Sequence, residues 1–286
     1  MIDPMPRDEG SSPWQAGAPN ELVKRAASGA VLISLVLAAV WLGGGLYILL
    51  IAAVSLVLAW EWGRVVRRAE FDVPFTATAI SLVAAIALAG LGRFNLAFAA
   101  LGAGTLAVAL TRTSPFDWLS AAGVPYLGIS AISMIWLRNG SEGVSAVLFV
   151  FACVWAHDTV AMFTGRTLRG PRLWPQVSPQ KTWAGAIGGL AASALIGALA
   201  ALIIPGANFV WLTVLGLIIG IAAFLGDLAE SALKRLGGLK NASSLIPGHG
   251  GFLDRLDGAM LSFTLAALIA LMVNAGEAGR GLLFCP

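Results

Sequence analysis

Long apolar runs separated by short polar segments make up most of this chain. A helix needs roughly 20 mostly apolar residues to cross the hydrocarbon core of a bilayer. Nine runs are suited to do so, and they occupy residues 26–43, 45–63, 74–91, 94–111, 118–137, 144–165, 183–204, 207–226 and 256–274. We expect the eighth helix to continue beyond the membrane to Arg235, because no helix-breaking residue occurs before Gly237. The pattern predicts an all-α polytopic membrane protein with about nine transmembrane helices.

Composition supports this fold class. Of the 286 residues, 58% are hydrophobic and 12% are charged, whereas soluble domains carry about 25% charged residues. Residues 1–22 differ from the rest because they are rich in Pro, Gly and polar residues, and we predict a disordered cytoplasmic tail there. They lack the basic, then apolar, then small-residue order of a cleavable signal peptide. We therefore expect the first apolar run to act as an uncleaved insertion signal.

Lysine and arginine are distributed unevenly between the two ends of the predicted spans. If the N-terminus is cytoplasmic and the spans alternate, only Arg93, Arg138 and Arg280 of the 18 Lys and Arg residues fall on the opposite side. Cytoplasmic loops are the ones enriched in Lys and Arg. The sequence therefore predicts a cytoplasmic N-terminus and a C-terminus on the other side of the membrane.

The two longest loops, 166–182 and 236–255, both fall on the predicted cytoplasmic side. The remaining loops are short and chemically plain. We therefore divide the chain into an N-terminal bundle of five spans, 23–140, and a C-terminal catalytic region, 141–286, that holds four spans and both long loops.

A concentration of ionisable residues extends from residue 227 to residue 257, between two apolar runs. Ionisable side chains at membrane depth cost several kcal/mol unless they are paired, solvated or bound to a ligand. With about 100° of rotation per helical residue, Asp227, Ser231 and Lys234 share one face, and Glu230 lies at its edge. A network that only pins two helices is one interpretation. We favour a metal-assisted phosphate site at a membrane surface.

A glycine-rich turn and two aspartates follow. Gly248, Gly250 and Gly251 allow backbone N–H groups to approach an anion closely. Asp254 and Asp257 lie three residues apart, on one face of the first turn of the ninth span, and Mg²⁺ is often held by one or two carboxylates plus substrate phosphates. Alternatively, the two aspartates complement the helix N-terminus and pair with Arg255. His249 could donate to a phosphate oxygen, transfer a proton or close the turn.

Two further groups lie upstream. Asp158 is deep in the sixth span beside His157, and an ionisable residue at such a position is a functional-site hypothesis by default. The loop before the seventh span carries Ser178, Lys181 and Thr182, and hydroxyls and a lysine at a helix N-terminus are good anion ligands. The alternative for this loop is a plain helix cap beside an interfacial tryptophan.

The segment SALKRLGGLKNASSLIPGHGGFLDRLD resembles the signature of the phosphatidate cytidylyltransferases, also called CDP-diacylglycerol synthases. The upstream SPQKT and the Asp158 span also resemble this family, so that the resemblance covers roughly residues 155–260. It implies a bacterial-type inner-membrane enzyme that is Mg²⁺-dependent and homodimeric, with its active site facing the cytoplasm. Such an enzyme joins CTP and phosphatidic acid into CDP-diacylglycerol and releases pyrophosphate.

This chain departs from the family pattern at three positions. Asn241 stands where the family usually has Asp, Ala184 where it often has Glu or Gln, and Met162 where it often has Tyr. The principal ionisable residues of the signature are present. We therefore expect an active enzyme. The three departures leave open whether it prefers a different metal.

We assign roles to the candidate residues as follows. Mg²⁺ is expected at Asp227, Asp254 and Asp257, with a second cation left open; catalytic roles are expected for Lys234, Asp254, Asp257 and His249; and substrate binding is expected at Asp158, Ser178, Lys181, Thr182, Ser231, Arg235, Lys240, Gly250, Gly251 and Arg255. Because phosphatidate is already an anion, positioning and charge neutralisation should supply most of the catalysis.

Two other classes of function compete with this interpretation. A transporter or channel would use Asp158 and Asp227 to relay protons or cations, and it would place charges near the bilayer midplane and contain paired broken helices. The charges here gather at one face and in cytoplasmic loops instead. A second alternative is a CTP-using membrane lipid kinase, which only the family resemblance disfavours.

Overall fold

The computed structural model describes residues 19–111, 117–239, 241–246 and 250–284. Within them the elements, in chain order, are α1 (Pro19–Leu42), α2 (Gly44–Arg67), α3 (Val73–Gly90), α4 (Phe94–Thr111), α5 (Asp117–Arg138), α6 (Gly143–Thr167), β1 (Arg172–Trp174), β2 (Ser178–Thr182), α7 (Trp183–Ile203), α8 (Phe209–Leu236), α9 (Leu253–Val273) and α10 (Ala278–Leu283). The protein is a polytopic all-α membrane protein, as predicted.

Eight helices in the described part of the chain, α2 to α9, are long and apolar enough to cross a membrane. They correspond to the second to ninth predicted spans. The first predicted span, 26–43, coincides with most of α1, and within its described residues Gly29–Leu42 is an apolar helical stretch. Helix α1 also begins at Pro19, inside the predicted tail, while the prediction for residues 1–18 lies outside the described residues.

Small residues allow the membrane helices to pack closely, as is usual where helices meet in a bilayer. A Cβ atom at Gly220 of α8 would lie 2.7 Å from the Ser193 side chain of α7. At the start of α8, Asn208 accepts a hydrogen bond from the Trp211 N–H at 3.0 Å and so caps the helix. Helix α8 ends at Leu236, one residue beyond the predicted end at Arg235.

Two elements were not predicted. The loop 166–182 contains an antiparallel hairpin of β1 and β2, in which Arg172 pairs with Thr182. The short helix α10 follows α9, and the carbonyl of Leu282 accepts a hydrogen bond from Trp211 Nε1 at 2.9 Å. Both elements are too short to carry a clear hydrophobic period, so the sequence pattern gave no signal for them.

The ends of several elements meet at one end of the bundle. Because successive spans run in opposite directions, α2, α6 and α8 end where α9 begins, and the β1–β2 hairpin lies at this same end. Helix α9 begins at Leu253, before the predicted start at 256, so that Asp254 lies within its first turn. The orientation of this end in the membrane and the division of the chain at residue 140 stay predictions.

Candidate active site

Lys234 of α8 joins two carboxylates in a largely buried cluster. Its Nζ lies 2.6 Å from Asp254 Oδ1 and 2.5 Å from Glu230 Oε2. The side chains of Lys234, Glu230 and Asp254 are 14%, 2% and 9% exposed. Lys234 therefore contacts Asp254 on the facing helix. Helical spacing alone had predicted only that Lys234 and Asp227 share one face of α8.

The second oxygen of Asp254 holds the segment that precedes α9. Asp254 Oδ2 accepts hydrogen bonds from the N–H groups of Ala242 at 3.1 Å and Gly251 at 2.9 Å. Both carboxylate oxygens are thus engaged within the protein. Asp254 organises the loop as well as pairing with Lys234.

The glycine-rich turn is closed by backbone pairing. Ile246 and Gly250 exchange two backbone hydrogen bonds, of 2.9 and 3.2 Å. Gly250 has φ +88°, a conformation that favours glycine. The N–H groups of Gly250 and Gly251 are therefore used internally rather than left open to an anion. The predictions for Lys240 and His249 fall outside the described residues.

A second group of carboxylates surrounds Asp257 of α9. Asp257 is buried and interacts electrostatically with Asp227 and Glu230 of α8 and with Asp158 of α6. Its Oδ1 accepts a hydrogen bond from the Gly258 N–H at 2.8 Å. Helices α8 and α9 touch at this level, because a Cβ at Gly226 would lie 3.0 Å from Gly258 Cα. Acidic side chains of α6 and α8 thus contribute to the electrostatic environment of Asp257 on α9.

Lys181 connects β2 with this acidic group. Its Nζ lies 2.8 Å from Asp227 Oδ2 and 5.9 Å from the centre of the Phe224 ring. The adjacent Thr182 accepts a hydrogen bond from the Gly185 N–H at 3.1 Å, which makes it the N-cap of α7. The capping interpretation of Thr182 is therefore confirmed, and its role toward an anion stays a prediction.

The other predicted binding residues lie around these groups. Arg235 is exposed and donates from Nε to the carbonyl of Val177 at 3.2 Å, which ties the hairpin to α8. Ser178 and Ser231 are half-buried, and Arg255 is exposed on α9. Asp158 lies inside α6, and its Oδ1 is 3.2 Å from Nδ1 of the buried His157.

Glu61 of α2 is part of the same arrangement, although sequence reasoning did not identify it. It is fully buried, and its Oε1 accepts hydrogen bonds from Ser243 Oγ at 2.5 Å and from the Phe252 N–H at 3.0 Å. Its Oε2 accepts a hydrogen bond from the Leu253 N–H at 2.6 Å. A glutamate inside an apolar run was the signal that could have found it.

Tyr126 of α5 is a second residue that the sequence did not single out. It interacts electrostatically with Asp257 and Glu230, and its ring centre lies 5.4 Å from that of Trp62. Glu230 itself was placed at the edge of the predicted face, but it was not included among the site residues. Helices α2 and α5 therefore also contribute side chains to the candidate site.

The carboxylate oxygens match the ligand preference of a hard cation such as Mg²⁺. In the described part of the chain, however, no group of three or more His, Cys, Asp and Glu residues is arranged to hold a metal ion by itself. Mg²⁺ often takes one or two carboxylates together with substrate phosphates. The carboxylates of Asp227 and Asp257 are therefore the candidates for a cation held jointly with a substrate.

Comparisons with known proteins show to which family the chain belongs. The model of the family described as "Cytidylyltransferase family" matches residues 23–273. A Brucella abortus biovar 1 protein named phosphatidate cytidylyltransferase is 36% identical over 252 residues, which cover 87% of this chain and 93% of the relative. A Staphylococcus epidermidis protein with the same name is 37% identical over 164 residues, which cover 56% of this chain and 62% of the relative. These matches show that the chain belongs to the cytidylyltransferase family and is a nucleotidyltransferase.

Proposed function

We propose that this protein catalyses the reaction of CTP with phosphatidic acid to give CDP-diacylglycerol and pyrophosphate, a step of phospholipid biosynthesis. One observation carries the proposal. The pair of Lys234 and Asp254 lies beside the carboxylates of Asp227 and Asp257 at one end of a membrane bundle. Relatives that carry the name phosphatidate cytidylyltransferase match 87% of the chain.

The reaction is a substitution at phosphorus. An oxygen of the lipid phosphate attacks the α-phosphorus of CTP, a new P–O bond forms, and the bond to the departing pyrophosphate breaks. The attacking phosphate is already an anion, so no strong general base is required. The obstacle is the repulsion between two anions, which positioned cations can offset.

The cationic side chains are suited to this task. Lys234 lies between the carboxylates of Glu230 and Asp254. Lys181, on β2, contacts the carboxylate of Asp227. Arg235 is exposed at the end of α8, where it ties the hairpin to that helix. We assign these side chains to the phosphate groups of the substrates. Ser178 and Thr182, on the same strand as Lys181, would close the site around the nucleotide.

Mg²⁺ is proposed to bind at Asp227 and Asp257, where it would neutralise negative charge on the substrate phosphates. Asp227 remains 38% exposed and is thus accessible to a cation. Asp254 orients Lys234 and the loop with both of its oxygens. Its assignment as a third metal ligand stays a prediction.

We further propose that the site faces the cytoplasm of a bacterial inner membrane and that the enzyme is a homodimer. The uneven distribution of Lys and Arg supports the orientation, because cytoplasmic loops are enriched in these residues. Asp158, inside α6, would line a polar pocket that opens sideways to the lipid, so that the acyl chains remain in the bilayer.

An isotope experiment separates this reaction from a CTP-dependent lipid kinase. The purified protein is incubated with phosphatidic acid and CTP labelled at either the α- or the γ-phosphorus, and lipids are extracted. Cytidylyl transfer carries only the α label into the lipid fraction. A lipid kinase would carry only the γ label into that fraction, and a transporter would carry neither, so either result would overturn the proposal.

A further inference from the structure

Glu61 differs from the other acidic residues of the site in its position along the chain and in its partners. It lies on α2, far before the signature segment, and it is fully buried. Its described partners, Ser243, Phe252 and Leu253, all belong to the segment that leads into α9. The hydrogen bond to Leu253 spans 192 positions of the sequence.

These hydrogen bonds supply a missing helix cap. The first N–H groups of a helix have no partner within the helix, and an acidic side chain can satisfy them. Phe252 occupies the N-cap position of α9, where its own side chain forms no capping hydrogen bond. The Glu61 carboxylate accepts from the N–H groups of Phe252 and Leu253 instead. A side chain on another helix therefore fixes where α9 begins.

Glu61 and Asp254 divide three consecutive N–H groups between them. The Gly251 N–H donates to Asp254, and the next two donate to Glu61. The packing at Gly251 is tight, because a Cβ there would lie 2.5 Å from Glu61 Oε1. A movement of Glu61 would therefore also disturb the hydrogen bond that helps to hold Asp254 against Lys234.

We propose that Glu61 is a positioning residue for the reaction: it fixes the first turn of α9, so that Asp254 and Asp257 are held in register with Lys234 and Asp227 on α8. The inference rests on the proposed function for its catalytic consequence. The competing role is mere attachment of α2 to the rest of the bundle. That role predicts a loss of stability without a specific effect on the site.

Hydrogen exchange tests the positioning without reference to activity. We compare the wild type, Glu61→Gln and the control Ser262→Ala in detergent. Ser262 is buried on α9 and donates to the Ile219 carbonyl at 3.2 Å, so its replacement removes an anchor of the same helix away from the loop. Glu61→Gln should speed exchange in the segment 241–257 by about 10-fold or more, and Ser262→Ala should not. Unchanged exchange in Glu61→Gln would overturn the proposal.

Steady-state kinetics tests the catalytic consequence. Glu61→Gln should lower kcat by about 10-fold or more while the KM for CTP stays within about 3-fold, because the loss is one of alignment. In an Asp254→Asn background, adding Glu61→Gln should lower kcat by less than about 2-fold further. The effects of substitutions at residues that act as one unit are not additive. An equal effect in both backgrounds would indicate attachment only and would contradict the proposal.

A variant that does not fold and a wild type without turnover are handled separately. If Glu61→Gln does not fold, Ser243→Ala takes its place in both experiments, with smaller effects in the same direction. It removes the hydrogen bond from Ser243 Oγ to Glu61, together with the one that the Leu245 N–H donates to Ser243 Oγ. If the wild type shows no turnover, the proposed function fails. Hydrogen exchange still decides whether Glu61 fixes the start of α9.

Discussion

Lys234 Nζ and Asp254 Oδ1 lie 2.6 Å apart and join α8 to α9 across 20 positions of the sequence. The pair is largely removed from solvent, and Glu230 provides Lys234 with a second carboxylate. Replacing one member of a buried pair leaves the other charge uncompensated, which is costly. The pair therefore serves both the fold and the chemistry proposed for the site, and the two contributions need separate measurements.

Replacing Asp254 with Asn should lower kcat by roughly 100-fold or more, because the site loses a charge that aligns Lys234. Pyrophosphate release by the purified variant measures the effect. Asp72→Asn is a matched control, since Asp72 also pairs with a cation, Arg67 at 2.8 Å, and caps α3. Asn caps a helix about as well as Asp, so this control should cost at most about 1 kcal/mol of stability, through the lost charge beside Arg67, and should leave turnover unchanged. Near-wild-type turnover of Asp254→Asn would contradict its assigned role.

The Lys234→Met variant should lose activity nearly as severely as Asp254→Asn. It also leaves Glu230 and Asp254 buried without their cation, which should cost about 3 kcal/mol of stability. Turnover per folded protein, measured together with the melting temperature, separates the two effects. If only the melting temperature fell, Lys234 would belong to a network that merely pins two helices.

Replacing Gly226 with Ala should disturb the site without removing any ionisable group. The added Cβ would contact the Asp257 carbonyl and approach Gly258 Cα at 3.0 Å, which forces α8 and α9 apart. We expect a kcat loss of about 10-fold, because a small misplacement of reacting groups is costly. Gly102→Ala is the control, since no atom of the described residues lies within 4 Å of its Cβ position. It should stabilise its helix by up to about 1 kcal/mol. Equal activity of the two variants would refute close contact at Gly226.

The proposed metal site predicts a changed dependence on Mg²⁺. Asp257→Asn and Asp227→Asn each remove one carboxylate, so the Mg²⁺ concentration for half-maximal turnover should rise by about 10-fold or more. Lys181→Ala should not raise it, because Lys181 contributes positive charge beside Asp227. Titration of Mg²⁺ into metal-depleted enzyme measures this property. An unchanged Mg²⁺ requirement in both Asp variants would exclude these carboxylates as ligands.

The sequence was most informative where a single helix decides the outcome. Apolar run length predicted α2 to α9. The absence of a breaker predicted that α8 extends to Arg235, one residue before its observed end. The position of Asp254 and Asp257 at the start of α9 was likewise foreseen. These features depend on local composition and on the helical period, both of which can be read from neighbouring residues.

Partners between helices were harder to predict. Helical spacing placed Asp227 and Lys234 on one face, but Lys181 pairs with Asp227 and Asp254 pairs with Lys234. The spacing gives the direction of a side chain, and only tertiary packing decides which neighbour it meets. Glu61 shows the same limit, because its partners are about 190 positions away.

The most direct test of the account is pyrophosphate release by the detergent-purified protein, given CTP and phosphatidic acid with Mg²⁺, and with each of the three omitted in turn. We expect release that requires CTP, phosphatidic acid and Mg²⁺ together. Release without phosphatidic acid, or no release from folded protein under the complete conditions, would contradict it.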